Sequence, residues 1–325
     1  MPLIAKAFYV VSAPQGKGDT TMANRINHER RQLVLRLLCE GNSIRSTSRI
    51  TGAEKRTVSR AILEFGSACK IFMDDYMRNL TLEHVEVDEI WSFIRKKQAR
   101  LTVEERATRH DIGDVYLWTC LDRDTKLIPS FLVGKRSADN ARRLMVDLRK
   151  RLTNTNQRPH DSDDHAYQEG DYNRIQISSD GFSSYPEAID LAFSQYAAHG
   201  VLIKQYRNAS MQYDPSEMVG SERRVISGNI NEFSIVTSHV ERHNLTIRTF
   251  MKRFTRLSIG FSKKLENHEA AIAMFMAYYN FVWRTRHSDR SGRSGTLRPT
   301  AAMMAKVTNR LWNFGDLYDE VLNYG

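Results

Sequence analysis

Three short stretches of this chain carry acidic side chains whose types and spacing suit chemistry. Asp88 stands in Val-Asp-Glu-Ile-Trp (87–91), Asp180 in Ile-Ser-Ser-Asp-Gly (177–181) and Glu241 in His-Val-Glu-Arg-His-Asn (239–244). A carboxylate flanked by Val85, Val87, Ile90 and Trp91 is costly to bury unless something pairs with it, and a divalent cation is the obvious partner. Two Asp and one Glu offer hard oxygen ligands and leave coordination sites for water and phosphate oxygens. That donor set holds two Mg²⁺ ions roughly 4 Å apart in phosphodiester hydrolysis and strand transfer. Mn²⁺ accepts the same ligands.

Each acid also has a plainer explanation. In a strand Glu86 shares the face of Asp88 while Glu89 points the other way, so strand chemistry puts Asp88 only slightly ahead of Glu86. Ser-Asp-Gly is common turn chemistry, and Asp180 suits an Asx-turn. Glu241 suits a surface helix, paired with Arg242 or His243. The helix after Glu241 weighs toward chemistry: Asn244 and Arg248 share its face, Arg248 about 10.5 Å along the axis. Lys252, Arg253 and Arg256 continue that basic surface, where a solvated salt-bridged face would alternate in sign.

Elements must bring these acids together. Period-2 patterning predicts strands over 83–94, 115–121 and 127–133, the last two joined by the turn Asp122-Arg123-Asp124-Thr125. An amphipathic helix over 138–152 follows, with Ala141, Leu144, Met145 and Leu148 on one face. A strand over 174–179, a helix over 185–193 and a strand over 201–206 imply parallel pairing through a right-handed crossover. If the fourth strand pairs with the first, as it does in an RNase H-like sheet, Asp88 lies beside Asp180, and the helix bearing Glu241 must pack back across the sheet. The stretch 208–234 reads as an irregular insertion. Helices are expected over 235–253, 266–284, 299–312 and 314–322, with a basic turn at 284–295.

Ahead of this core, Gly41-Asn42 ends a first short helix, Ser43 caps a second, and Thr51-Gly52 turns into a third that runs over 53–65. Three helices with a Gly turn between the last two match a helix-turn-helix, offering Lys55, Arg56, Thr57, Ser59 and Arg60 to phosphates and base edges. The organisation expected is a flexible lead-in over 1–26, a helix-turn-helix domain over 27–66, a linker over 67–81, a catalytic core over 82–258 and a C-terminal helical region over 259–325. The run His-Asp-Ser-Asp-Asp-His (160–165) has no apolar support and reads as a solvated loop, not a metal site.

A formal net charge of +10 over 325 residues favours a polyanionic partner, because Lys and Arg on phosphates gain from counterion release. Cys39, Cys69 and Cys120 are too far apart for a zinc site and read as buried thiols in a reducing compartment. No stretch is long and apolar enough to span a bilayer, so a cytoplasmic, nucleoid-associated location is expected.

The motifs resemble those of bacterial insertion-sequence transposases of the IS1 group, which are DDE recombinases. The likeness runs over about 22–312. It is carried by Glu-Gly-Asn-Ser-Ile-Arg (40–45), Arg-Ile-Thr-Gly (49–52), Asp-Glu-Ile-Trp-Ser-Phe (88–93), Leu-Asp-Arg-Asp-Thr-Lys-Leu-Ile (121–128) and Ser-Asp-Gly-Phe (179–182). The most specific part is His-Val-Glu-Arg-His-Asn-Leu-Thr-Ile-Arg (239–248), with Arg-Phe-Thr-Arg-Leu (253–257) and Gly-Phe-Ser-Lys-Lys-Leu-Glu-Asn-His (260–268); Arg-Pro-Thr-Ala-Ala-Met (298–303) closes it. The resemblance implies an α/β fold: an RNase H-like mixed-sheet catalytic core with an N-terminal helix-turn-helix domain and C-terminal helices. It also implies that Asp88, Asp180 and Glu241 are a metal-binding DDE triad followed by Arg248. The activity would be Mg²⁺-dependent cleavage at terminal inverted repeats and strand transfer into target double-stranded DNA, by at least a dimer. Two departures stand out: no cysteine zinc motif precedes the helix-turn-helix, and the acidic loop 158–171 is longer than usual. Two rivals make different predictions. A DNA-binding regulator or decayed copy binds without nicking, and a general RNase H-like nuclease cuts without joining.

Overall fold

A computed structural model of the chain describes residues 26–153, 175–207, 217–255, 258–284, 286–288 and 294–324. The expected lead-in over 1–26 falls almost wholly outside these residues, as do the acidic loop 158–171, the first part of the stretch 208–234, and Arg256.

The three N-terminal helices form where their caps predict. Helix α1 (His28–Cys39) starts at Asn27, whose side chain accepts from Arg30 N, and ends before Gly41 at φ +84°. Ser43 caps α2 (Ile44–Thr51), and Gly52 at φ +66° turns the chain into α3 (Lys55–Tyr76). Helix α3 differs from expectation by running on through most of the stretch 67–81. Cys69, Phe72 and Met73 extend its buried face, so the helical period continues where a linker was expected. That face packs on a later helix so tightly that a Cβ built on Gly66 would lie 2.0 Å from Ala270 O.

Strand β1 (His84–Ile94) opens the sheet. A short helix α4 (Val103–Thr108), started by a Thr102/Glu105 capping box, is an addition the sequence pattern did not suggest. Strands β2 (Gly113–Asp122) and β3 (Ser130–Gly134) complete the antiparallel meander. Helix α5 (Ala138–Arg151), strand β4 (Ile175–Ser179), helix α6 (Tyr185–Phe193) and strand β5 (Ala197–Arg207) follow as patterned. Part of the supposed irregular insertion is strand β6 (Glu217–Ser227), antiparallel to β5. The mixed sheet has the order β3-β2-β1-β4-β5-β6, with β4 parallel to both β1 and β5, consistent with an RNase H-like core.

Helix α7 (Ser238–Phe250) crosses one face of β1 and leads to α8 (Leu265–Phe281). Every residue of α8 from Ala270 to Phe281 is buried, as expected of a helix that is apolar all round. Its one buried amide, Asn280, exchanges two 2.9 Å hydrogen bonds with the backbone of Ile128 and so ties α8 to the β2–β3 connection. A short hairpin, β7 (Arg286–Ser288) and β8 (Ser294–Leu297), forms where a basic turn was expected. The helix expected over 299–312 is only α9 (Ala301–Met304); Lys306, at φ +60°, turns the chain away. Helix α10 (Phe314–Asn323) returns to the N-terminal helices, stacking Tyr318 on Phe65 with ring centroids 5.2 Å apart. Arg151 of α5 grips Asp147, Asp74 and the Met73 carbonyl, joining α3 to the core. All three cysteines are buried and free, and burial raises each thiol pKa.

Candidate active site

The site forms where β4 stops. The last β1–β4 pair is Val87 with Ser179, so Asp88 and Glu89 continue along β1 with no strand among the described residues on that side, and Asp180 leaves β4 into the gap. Strand alternation sends Asp88 to the α7 face and Glu89 to the α5–α6 face. At this open end both still reach Asp180: carboxylate oxygens of Asp88, Glu89 and Asp180 lie within 4.8 Å of one another.

Each acid is held differently. Asp88 accepts from its neighbour's amide, Glu89 N, at 2.9 Å and from Asn244 Nδ2 at 2.7 Å. Burial, reinforced by the charges of Asp180 and Glu89, pushes its pKa up to about 8. Asp180 makes the Asx-turn that its sequence suggested, accepting from Phe182 N at 3.0 Å. It sits 4.0 Å from Arg136 Nη2. Glu89, whose side chain is 3% exposed, accepts from Tyr185 Oη at 2.9 Å and from Arg136 Nε. Its pKa is raised by burial and by Asp180, against the pull of Arg136. Arg136 stacks over Phe182, 4.3 Å from the ring centroid.

Glu86, the same-face competitor of Asp88, has a structural job. It is 1% exposed and accepts from His239 N and Val240 N, both at 2.9 Å, and it meets His239 Nδ1 at 2.6 Å. Those amides belong to the first turn of α7, so Glu86 supplies the anion that a helix N-terminus favours. The residue at the capping position, Thr237, makes no side-chain cap. Its hydroxyl donates instead to Glu241 Oε1 at 2.6 Å.

Glu241 does not join the group of three. Its carboxylate is paired with Lys204 of β5, although it is close enough to add to the upward push on Asp88. Helix α7 therefore delivers Asn244 to Asp88 directly and holds Glu241 alongside. A hard, oxygen-rich group with a buried acid held protonated up to about pH 8 suits a divalent cation, which would relieve the crowding of like charge. Asp88, Glu89 and Asp180 are close enough together that they could hold one.

The remaining candidates divide by exposure. Lys55, Arg56 and Arg60 are exposed at the start of α3, with Thr57 and Ser59 half-buried beside them. Asn244 is buried and gives its amide to Asp88, and Arg248 is half-buried on the same helix. Lys252 is exposed. Arg253 turns inward: Nη1 donates to Ser262 Oγ at 2.6 Å, and burial lowers its pKa to about 10. Ser262 meets His268 Nδ1 at 2.9 Å, and His268 Nε2 meets Ser92 Oγ at 3.2 Å, so this network ties the end of β1 to α8. His243, beside Glu241, is buried edge-on to Tyr279, neither ring nitrogen has a partner among the described residues, and burial lowers its pKa to about 3. It supports the helix and does not reach the acids by any bond. Sequence reasoning passed over Lys204 and Arg136; a lysine directly after the apolar run Val201-Leu202-Ile203 was the available signal for Lys204.

Comparison with known proteins falls on the helices that shape this site. Residues 215–282 match the family described as IS1 transposase, a span that covers the whole of β6, α7 and α8. A stretch of 47 residues, 14% of this chain, is 45% identical to the insertion element iso-IS1n protein InsB of Shigella dysenteriae, and it spans 36% of that protein's length. No helix among the described residues is long and apolar enough to cross a membrane. Over the matched segments, which are a minor part of its length, the chain is similar to the IS1 group of insertion-sequence transposases.

Proposed function

We propose that this protein is a DDE transposase that binds the terminal inverted repeats of its element, cleaves there, and joins the freed 3′ ends to target DNA. The observation that carries the reading is the meeting of Asp88 and Asp180 in the gap where β4 ends, with the matched helix α7 packed across β1 and bonded to Asp88 through Asn244.

In this reading Asp88 and Asp180 hold divalent cations, Mg²⁺ or in its place Mn²⁺, and Glu241 completes the triad from α7. Bound there, the cations would activate the attacking oxygen and carry the charge of the leaving one. The chain's own residues do the positioning. Asn244 fixes the Asp88 carboxylate, the Asx-turn fixes Asp180, and Glu86 anchors the end of α7 that carries Glu241. Arg136, fixed by Glu89 and Phe182, places a cation at the rim where a DNA phosphate would approach. Helices α1–α3 act as the helix-turn-helix, with Lys55, Arg56, Thr57, Ser59 and Arg60 on DNA, while Arg248 and Lys252 extend the contact beyond the acids. Two ends must meet in one complex, so the working form is a dimer or larger.

The test separates binding from cutting. Asp88→Asn, Asp180→Asn and Glu241→Gln are expected to shift repeat DNA in a gel as the parent does and to lose Mg²⁺-dependent nicking. A variant that still nicks removes its residue from the site.

A further inference from the structure

Among the described residues, Glu241 is the member of the proposed triad whose carboxylate is hydrogen-bonded to a cation of the protein, whereas Asp180 lies 4.0 Å from Arg136 Nη2. Lys204 reaches it from β5 with a side chain only 23% exposed, and Thr237 donates to the same oxygen. Thr237 occupies the capping position of α7, where a Thr hydroxyl ordinarily accepts from a first-turn amide. Here it faces Glu241, and Glu86 serves those amides from the neighbouring strand. Two side chains from two elements therefore converge on one carboxylate oxygen. The other acids, Asp88, Glu89 and Asp180, sit together without it.

We infer that Lys204 and Thr237 park Glu241 beside the acidic group, so that a divalent cation arriving at Asp88 and Asp180 must draw Glu241 away from Lys204 to complete the triad. The inference rests on the reading of Asp88, Asp180 and Glu241 as cation ligands. Lys204 is then a positioning residue that acts through Glu241: it keeps a fourth acid away from the group of three in the metal-free protein and competes with the cation for the last ligand. A half-exposed ion pair is worth little, so the competition is modest, roughly two- to five-fold in cation affinity.

Mn²⁺ binding to the full chain, measured by titration calorimetry without DNA, tests this. Lys204→Met and Thr237→Val are each expected to tighten Mn²⁺ binding, Lys204→Met by roughly two- to five-fold, while Lys204→Arg stays near the parent. In a Glu241→Gln background, where nothing is parked, Lys204→Met is expected to change the affinity by less than about two-fold, because the coupling is between those two residues. Equal tightening in both backgrounds would overturn the inference, since that is the general effect of removing a positive charge. Weaker binding by Lys204→Met would overturn it as well. Thermal unfolding in EDTA checks that each variant is folded, and Thr237→Val carries the test if Lys204→Met is not. Failure of the underlying reading looks different: the parent binds no Mn²⁺, or Asp88→Asn binds it as well as the parent.

Discussion

Glu86 and Asp88 lie two residues apart on one face of β1, and replacing each acid by its amide should have opposite consequences. Glu86→Gln removes the charge that serves His239 N, Val240 N and His239 Nδ1 at 2.9, 2.9 and 2.6 Å. The amide keeps one acceptor for the two backbone donors and loses the charge that favours a helix N-terminus. Charge-assisted bonds of this kind contribute about 1.5–3 kcal/mol, and the site is 1% exposed, so water cannot replace them. A loss of about 2–3 kcal/mol lowers the unfolding midpoint by roughly 3–5 °C in a chain of this size. Asp88→Asn removes a charge that burial and the acids around it disfavour. Its new amide can donate to Asn244 Oδ1, which has no partner now, once the Asn244 side chain flips. Its midpoint in EDTA should equal or exceed the parent's. Thermal and urea unfolding of the three proteins in EDTA at pH 8 decide the matter. Equal midpoints for the two variants, or a drop for Asp88→Asn alone, would refute the assignment of Glu86 to structure and Asp88 to chemistry.

Other consequences are as direct. Gly66→Ala would ordinarily stabilise a helix interior by about 1 kcal/mol, but its Cβ would meet Ala270 O at 2.0 Å, so a lower melting temperature is expected; a rise would show that α3 and α8 are less closely packed. His199, His243 and His268 are held neutral by burial, at pKa values of about 4, 3 and 3. Below the ordinary histidine pKa the unfolded chain takes up protons that the folded one refuses. Stability present above pH 6.5 is therefore lost as pH falls toward these values, at up to about 1.4 kcal/mol per pH unit for each group. Urea midpoints should fall between pH 7 and pH 5, and His243→Phe should flatten that slope; an unchanged slope would place the dependence elsewhere. Arg60→Ala, exposed on α3, should weaken binding to repeat DNA and lessen its salt dependence, measured by fluorescence anisotropy; unchanged binding removes α3 from the DNA contact.

The sheet was legible because its strands alternate or run apolar between clear turns, and α1 to α3 because Gly41, Ser43 and Gly52 mark their ends. Asp88 and Asp180 could be paired once the fourth strand was set beside the first, as in an RNase H-like sheet. What the sequence left open depends on partners far away in the chain. Helix α3 runs on because α8 covers it, and β6 pairs only because β5 offers an edge. The helix expected over 299–312 stops at Met304 because Lys306 takes a left-handed turn, which residue periodicity does not show. Within the site, Glu86 and Asp88 could not be told apart until α7 was placed. Arg253 shares the basic run that follows Glu241, and only its bond to Ser262 reveals that it faces inward.

The most direct measurement of the central claim is strand transfer by the purified chain on DNA bearing the element's own terminal repeats, in Mg²⁺ and in EDTA, beside Glu241→Gln. Joined product that needs the metal and vanishes in the variant is the predicted result. Tight repeat binding with no cleavage in Mg²⁺ or Mn²⁺, or joined product undiminished in Glu241→Gln, would contradict it.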